Sequence, residues 1–126
     1  MADMTPQVPQ GRQLIQGYGG GGFRIAGEAY TSSVIVMPDQ TLPWQVTSFD
    51  DISITGLAPL MHENTGVEVL LIGCGVRMGM PRTDIRDALK AFSIVPEWMD
   101  TGAACRTFNV LLAEDRAVAA ALIAVD

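Results

Sequence analysis

The sequence predicts a single α/β domain, and three observations support that prediction. The chain has 126 residues and is 48% hydrophobic, which suffices for one domain with a sizeable core. Its first half consists of short β-branched runs separated by glycine and proline, as in strands joined by turns. An apolar run at 67–72 and two helix-like stretches follow it. Strands that alternate with helices in this order are typical of α/β folds.

The start of the chain is predicted to form a tail followed by a small β layer. Residues 1–13 are mostly polar and include Pro6 and Pro9, so we expect a flexible tail and one domain over 14–126. Aromatic and aliphatic residues lie on both sides of the glycine run at 19–22. This pattern favours a tight turn between two short strands.

Five further segments are predicted before the first helix. The run at 33–37 and the stretch around Trp44 indicate strands, and the alternation at 51–55 indicates a strand with one solvated face. Residues 57–62 have room for one or two helical turns. The apolar run at 67–72 predicts a central strand covered on both faces.

Two helices are predicted in the second half of the chain. The first starts after Thr83 as its N-cap, with buried positions at Ile85, Leu89 and Phe92. A short strand follows and ends near Pro96. The second helix is expected from about 103 to 114, capped by Thr101 or Gly102.

The last apolar stretch, 118–125, fits either a helix or a strand. Its alanines favour a helix, whereas the β-branched residues near both ends and the polar break at 114–116 favour a strand. We expect a buried last strand.

The charge balance excludes nucleic acid as an expected partner. The chain carries 14 acidic and 8 basic residues, a net charge of −6. Arg77, Arg82 and Arg86 form the one local basic group, with Asp84 inside it and Asp87 directly after it. A phosphate backbone or an anionic membrane surface requires several cations on one face.

The cysteines and the histidine indicate neither a metal site nor a cofactor. Cys74, Cys105 and His62 are too few and too scattered for structural zinc. The two cysteines could form one disulfide, but buried free thiols in a reducing compartment are favoured. Without a signal-like start or an apolar run long enough to span a bilayer, we expect a cytoplasmic protein that is not integral to the membrane.

The segment 73–79 is the most suggestive candidate site. It leaves the predicted central strand before a helix, a position where α/β proteins often bind ligands. Its spacing does not match a dinucleotide fingerprint. The favoured interpretation is that Gly73 and Gly75 permit a sharp turn and close packing. The alternative is a small-anion or small-ligand pocket with Arg77 and Arg82 near the start of the next helix.

Three polar residues of the second helix complete that candidate. Thr101, Arg106 and Asn109 either cap backbone groups and fix loops, or face the loop at 73–79. The candidate ligand-binding set is Gly73, Gly75, Arg77, Arg82, Thr101, Arg106 and Asn109.

Other catalytic patterns are weaker. The glycine run at 17–22 lacks the lysine ending of a phosphate loop, and no serine lies in a nucleophile elbow. Cys105 near a helix start could be a nucleophile, but its apolar neighbours favour a core thiol. The adjacent acids at 50–51 and 114–115 fit solvated turns. The sequence leaves enzymatic activity open, favours its absence and predicts no catalytic residue.

Several segments resemble one widespread domain family. They read IQGYG at 15–19, GFRI at 22–25, SVIVMP at 33–38, LLIGCG at 70–75, MDTGAACRTFNVL at 99–111 and EDRAVAAALI at 114–123, together with Trp44. Over about 14–125 the chain resembles a family of unassigned molecular function that includes the mitochondrial respiratory complex I assembly factor. Since a mitochondrial leader is missing, the chain looks like a bacterial relative.

The resemblance implies a fold and a class of function. The implied fold is a three-layer α/β arrangement with a mixed central sheet, whose last strand runs antiparallel to its neighbours. The implied function is that of a non-enzymatic interaction or assembly factor with a protein partner, acting on a membrane-associated respiratory complex. Homo-oligomerisation is left open, and the small-ligand pocket remains the alternative.

Overall fold

The computed structural model describes residues 11–62 and 65–126. Within them the strands are β1 Ile15–Gly19, β2 Gly22–Ile25, β3 Glu28–Tyr30, β4 Ser33–Val36, β5 Thr41–Trp44, β6 Val69–Gly73, β7 Val95–Met99 and β8 Val118–Leu122. The helices are α1 Thr83–Lys90 and α2 Thr101–Ala113. Most of the predicted tail lies outside the described residues, but Arg12 and Gln13 are bonded to Asp115 and to the Pro38 carbonyl.

The central sheet has five strands in the order β5-β4-β8-β6-β7. It is mixed, as expected, but the predicted direction of the last strand is only half right. β8 runs antiparallel to β4 and parallel to β6. The chain passes from β7 through α2 into β8, and a helical crossover of this kind returns the chain in a parallel direction.

Two hydrophobic cores cover the two faces of this sheet and make the fold three-layered. On one face, α1 and the segments around Ile52 and Leu57 pack on alternate residues of the central strands. On the other face, α2 and the sheet β1-β2-β3 pack on the remaining residues. The three layers and the predicted N-terminal β layer are therefore confirmed.

The N-terminal layer begins with the predicted hairpin. β1 and β2 are antiparallel, and the turn between them has φ of +60° at Gly20 and +84° at Gly21. Positive φ at both central residues matches the twist of a two-residue hairpin. Gly22 follows where the Tyr30 carbonyl lies so close that any Cβ would overlap it.

The last strand is confirmed, and its alanines have a packing explanation. Ala119, Ala120 and Ala121 are fully buried in the middle of the sheet, with alternate residues facing the two cores. Small side chains let α2 and the opposite layer approach a strand that is covered on both faces. The helix propensity of alanine is overridden by this burial.

The predicted strand at 51–55 is wrong. The structure has 3-10 helices at Phe49–Asp51 and Thr55–Leu60 instead. The Asp51 carboxylate accepts from the Thr47 hydroxyl at 3.0 Å and from the Ser48 amide at 3.2 Å, which favours a turn over an extended chain. These bonds lower the pKa of Asp51. The helical turns predicted at 57–62 are confirmed, although they begin and end earlier.

Both helices begin close to their predicted positions, but with different caps. α1 starts at Thr83 with Arg82 as its N-cap residue. α2 starts at Thr101, and the Asp100 carboxylate accepts from the Ala103 amide at 2.8 Å. The cap is therefore Asp100, which frees the Thr101 side chain for other contacts.

Each edge strand of the central sheet contains a proline. β7 continues through Pro96 to Met99, beyond its predicted end. Val95 donates to the Glu68 carbonyl, so the next residue directs its backbone away from β6. Just before β5, the Met37 amide donates to the Gln40 carbonyl, so the backbone of Gln40 faces β4. Successive residues of a strand face opposite ways, and the nitrogen of Pro43, three residues later, therefore points away from the sheet too. Neither proline costs a ladder bond, and each removes an outward donor.

The helix α2 offers a test of the buried core. Phe108 is fully buried, whereas Val110 on the same helix is 55% exposed. We expect Phe108→Ala to lower the free energy of unfolding by about 3–5 kcal/mol, because it leaves a cavity between α2 and the sheet. Val110→Ala is the matched control and should change it by less than about 0.5 kcal/mol. Chemical denaturation measures both, and equal effects would contradict the assigned packing of α2.

Candidate functional site

The loop that leaves the central strand β6 is packed tightly at its start. A Cβ on Gly73 would lie 3.0 Å from the Thr101 Cα and from a Leu122 methyl group. The Gly73 carbonyl accepts from the Ile123 amide at 2.9 Å, and the Cys74 amide donates to the Met99 carbonyl at 2.8 Å. Gly73 therefore permits the close approach of three segments, as the favoured sequence interpretation requires.

Thr101 is the centre of this junction. Its side chain is fully buried, and its hydroxyl donates to the Ile123 carbonyl at 2.7 Å. The same hydroxyl accepts from the Gly75 amide at 3.0 Å, and the Thr101 amide donates to the Gly75 carbonyl at 2.8 Å. One side chain thus ties the loop, the start of α2 and the end of β8 together.

Asn109 is bonded to the N-terminal sheet and not to the loop. Its amide oxygen accepts from the Ile15 amide at 2.9 Å, and its amide nitrogen donates to the Ile15 carbonyl at 2.8 Å. This pair satisfies both backbone groups of a residue in β1. Asn109 therefore attaches β1 to α2, a structural role that the sequence analysis had named among its alternatives.

Arg82 fixes the far end of the loop. Its guanidinium donates to the Ile52 carbonyl at 2.7 Å and to the two carboxylate oxygens of Asp84 at 3.2 and 2.9 Å. The bonds from Arg82 lower the pKa of Asp84. The guanidinium therefore forms its hydrogen bonds with other groups of the protein.

Arg77 and Arg106 both lie on the surface. Neither has an ion-pair partner within 11–62 and 65–126. Arg106 belongs to α2, and its guanidinium is 3.3 Å from the position that a Cβ on Gly102 would occupy, one turn earlier in the helix. The Tyr18 hydroxyl lies still closer to that position, at 2.5 Å. A side chain at position 102 would therefore require the Tyr18 and Arg106 side chains to move.

A cavity of about 240 Å³ lies between the loop and α2. Gly75, Val76 and Tyr18 line it together with two carboxylate residues, Asp100 and Asp126. Two aspartates disfavour an anion at this place. Of the seven predicted ligand-binding residues, the structure brings Gly73, Gly75 and Thr101 into contact and places Arg106 nearby; the binding role itself stays a prediction.

The cysteines lie on opposite faces of the central sheet. Cys74 belongs to the core beneath α1 and Cys105 to the core beneath α2, and both are buried free thiols. Burial raises the pKa of Cys105 to about 12 and also raises that of Cys74. A raised pKa disfavours the nucleophilic thiolate, in agreement with the core interpretation of Cys105.

The sequence analysis missed an exposed apolar segment in the same loop. The exposed fraction is 82% for Val76, 67% for Met78 and 82% for Met80. Between the methionines, Gly79 lies against the Phe49 ring so closely that a Cβ would overlap it. The signal in the sequence is the alternation of apolar residues with Arg77 and Gly79.

The described part of the chain holds neither a metal-binding cluster nor a membrane-spanning helix. Residues 11–62 and 65–126 bring together no group of three or more histidine, cysteine or acidic side chains with metal-binding geometry. Over the same residues no helix has the length and apolar character to cross a bilayer.

The hydroxyl of Thr101 supports a direct test of the junction. Thr101→Val keeps the shape of the side chain but leaves the Gly75 amide and the Ile123 carbonyl without that partner. We expect a loss of about 1–3 kcal/mol in the free energy of unfolding. Thr101→Ser retains the hydroxyl and should lose less, as chemical denaturation would show. Equal losses for the two variants would contradict the role of the hydrogen bonds.

Comparison with known proteins gives two informative relatives. An assembly factor from Danio rerio, NADH dehydrogenase (ubiquinone) 1 alpha subcomplex assembly factor 3, is 37% identical over 110 residues. The match covers 87% of this chain and 63% of the relative, so the chain spans less than two thirds of that protein. An uncharacterised protein from Rhodobacter capsulatus is also 37% identical, over 95% of this chain and 93% of its own.

A solved structure shares the fold. The crystal structure of a Bartonella henselae protein, described as an outer membrane protein, is 42% identical with a TM-score of 0.85. The superposition covers 93% of this chain and 98% of that one. A family model, described as protein of unknown function (DUF498/DUF598), matches residues 15–123, from the first strand to the end of the last. The chain belongs to this DUF498/DUF598 family.

Proposed function

We propose that this protein is a non-enzymatic assembly factor that acts through protein contacts in the biogenesis of a membrane-associated respiratory complex. The observation that carries the proposal is the 37% identity to the Danio rerio assembly factor over 87% of this chain. The match covers 87% of this chain, so most of the domain is shared with a protein named for assembly.

The contacts of the candidate residues support a scaffold role. Thr101 and Asn109 direct their polar atoms to backbone groups of the loop, of β8 and of β1. Arg82 binds a backbone carbonyl and its neighbour Asp84. Groups with such partners position segments of the chain and present surfaces, which is what a protein that works by contact requires.

The site of action is part of the proposal, and we place it in the cytoplasm. Two buried free thiols on opposite faces of one sheet suit a reducing compartment. The Bartonella henselae relative carries an outer-membrane description, so the compartment requires its own measurement. Fractionation of cells that express the chain from its own promoter should place it in the cytoplasmic fraction; recovery with the outer membrane would overturn this part.

A gene deletion in the organism of origin tests the proposed function. Membranes from the deletion strain should lose most of their NADH:quinone oxidoreductase activity and of the assembled complex on native gels, because the complex would not mature. Succinate:quinone activity in the same membranes is the control and should be unchanged. Expression of the intact chain should restore both signals. Normal amounts of assembled, active complex in the deletion strain would refute the proposal.

A small-ligand protein that uses the loop after β6 is the second candidate. The cavity of about 240 Å³ beside Gly75 favours it, while the lining carboxylates point to a neutral or cationic ligand. A crystal structure of protein purified from its native cells should then show a bound molecule in this cavity. Only solvent there, in protein that still restores the respiratory complex, would exclude this candidate.

A further inference from the structure

We propose that the apolar loop, defined as Val76, Arg77, Met78 and Met80, docks an amphipathic segment of a partner protein that carries an acidic residue beside its apolar face. The inference rests on the proposed function and deepens it by naming the surface and the chemistry of the partner. Three features of the loop support it, namely its exposure, its anchoring and its charge.

Exposed apolar surface is concentrated in the loop. Seven large hydrophobic residues of the described chain are exposed, and three of them, Val76, Met78 and Met80, lie within five residues of one loop. A fourth, Tyr18, lines the same cavity as Val76, so the surface continues beyond the loop. Exposed methionines adapt their shape to a partner, and apolar clusters of this kind mark interaction sites.

The loop is anchored at three points, Gly75, Gly79 and Arg82. Thr101 holds it at Gly75, Gly79 rests on the Phe49 ring, and Arg82 binds the Ile52 carbonyl. Phe49 in turn packs edge-on against Trp98 of β7, with 6.0 Å between ring centroids.

The anchoring bears on which residues of the loop are exposed and on the entropy cost of binding a partner. Gly79 lies against Phe49, whereas its neighbours Met78 and Met80 are exposed to solvent. A surface that is already ordered loses little conformational entropy when a partner binds. The loop is therefore suited to docking.

The loop carries a positive charge at Arg77, in its middle. Arg82 and Arg86 are paired with Asp84 and Asp87, whereas Arg77 has no ion pair among the described residues. Arg77 lies between Val76 and Met78 in the sequence and is itself exposed, so its long side chain can reach a partner that is bound at the loop. An acidic side chain on the partner would form a charge-assisted bond there and set the orientation.

Three other modes of association are disfavoured. A second copy related by a two-fold axis through the loop would bring Arg77 close to its own equivalent. An anionic lipid surface would meet one unpaired arginine on a protein with a net charge of −6. Addition of a strand to the central sheet is opposed by Pro43 and Pro96 on its two edges.

Site-specific cross-linking in living cells tests the identity of the occupant. The full chain carries p-benzoylphenylalanine in place of Met78, and adducts formed on illumination are digested and sequenced. We expect one protein adduct, joined through a segment with an apolar helical face and an adjacent Asp or Glu. Val110 is an exposed residue of α2 that does not belong to the loop. It is the matched control position and should give no such adduct. Adducts with lipid, with a second copy, with a segment that lacks an acidic residue, or none at all, would overturn the proposal.

Charge variants test the role of Arg77 in the same assay. With the cross-linker at position 78, Arg77→Glu should reduce the adduct by about tenfold, and Arg77→Lys should stay within about twofold of the parent. Thermal unfolding should be unchanged in both, because Arg77 is a surface residue. An undiminished adduct with Arg77→Glu would refute the proposed charge pairing.

Complementation separates this proposal from the function on which it rests. In the deletion strain, a chain with Val76→Ser, Met78→Ser and Met80→Ser should fail to restore the respiratory complex. The control chain with Ile54→Ser, Val95→Ser and Val110→Ser removes exposed apolar groups elsewhere and should restore it. If both variants restore it, the docking proposal fails and the assembly function stands. If the deletion has no effect but the acidic adduct forms, the assembly function fails and the docking site stands.

Discussion

The hydroxyl of Thr101 joins parts of the chain that are far apart in sequence. It bonds Gly75, 26 residues before it, and Ile123, 22 residues after it. These residues follow the parallel strands β6 and β8, so one side chain fixes the carboxyl ends of two central strands and the start of α2. The position of the loop after β6 depends on this junction, and so does the surface that the loop presents.

The central sheet is closed to further pairing, whereas the loop after β6 is exposed. Prolines at both edges of the central sheet remove outward donors where another strand would pair, and two cores occupy both faces of the sheet. In the loop after β6, by contrast, backbone that is anchored at Gly75 and Gly79 carries exposed valine and methionine side chains. The proposed docking depends on this combination of anchored backbone and exposed apolar side chains.

Much of the fold could be predicted from sequence because local patterns dominate it. The hairpin around Gly20, the central strand β6 and both helices follow from turn chemistry and periodicity. The strand expected at 51–55 failed because the bonds of Asp51 to Thr47 and Ser48 fold the chain locally. The candidate site was harder, since the partners of Thr101 and Asn109 lie between 22 and 94 residues away. No spacing rule reveals such pairs.

Amide hydrogen exchange tests the central role of Thr101 most directly. In the intact protein the Gly75 amide should be strongly protected, because its acceptor is a buried hydroxyl. In Thr101→Val its exchange should accelerate by about tenfold or more, while the Ile15 amide, held by Asn109, should keep its rate. An unchanged rate at Gly75 in the variant, or equal acceleration at both amides, would contradict the account.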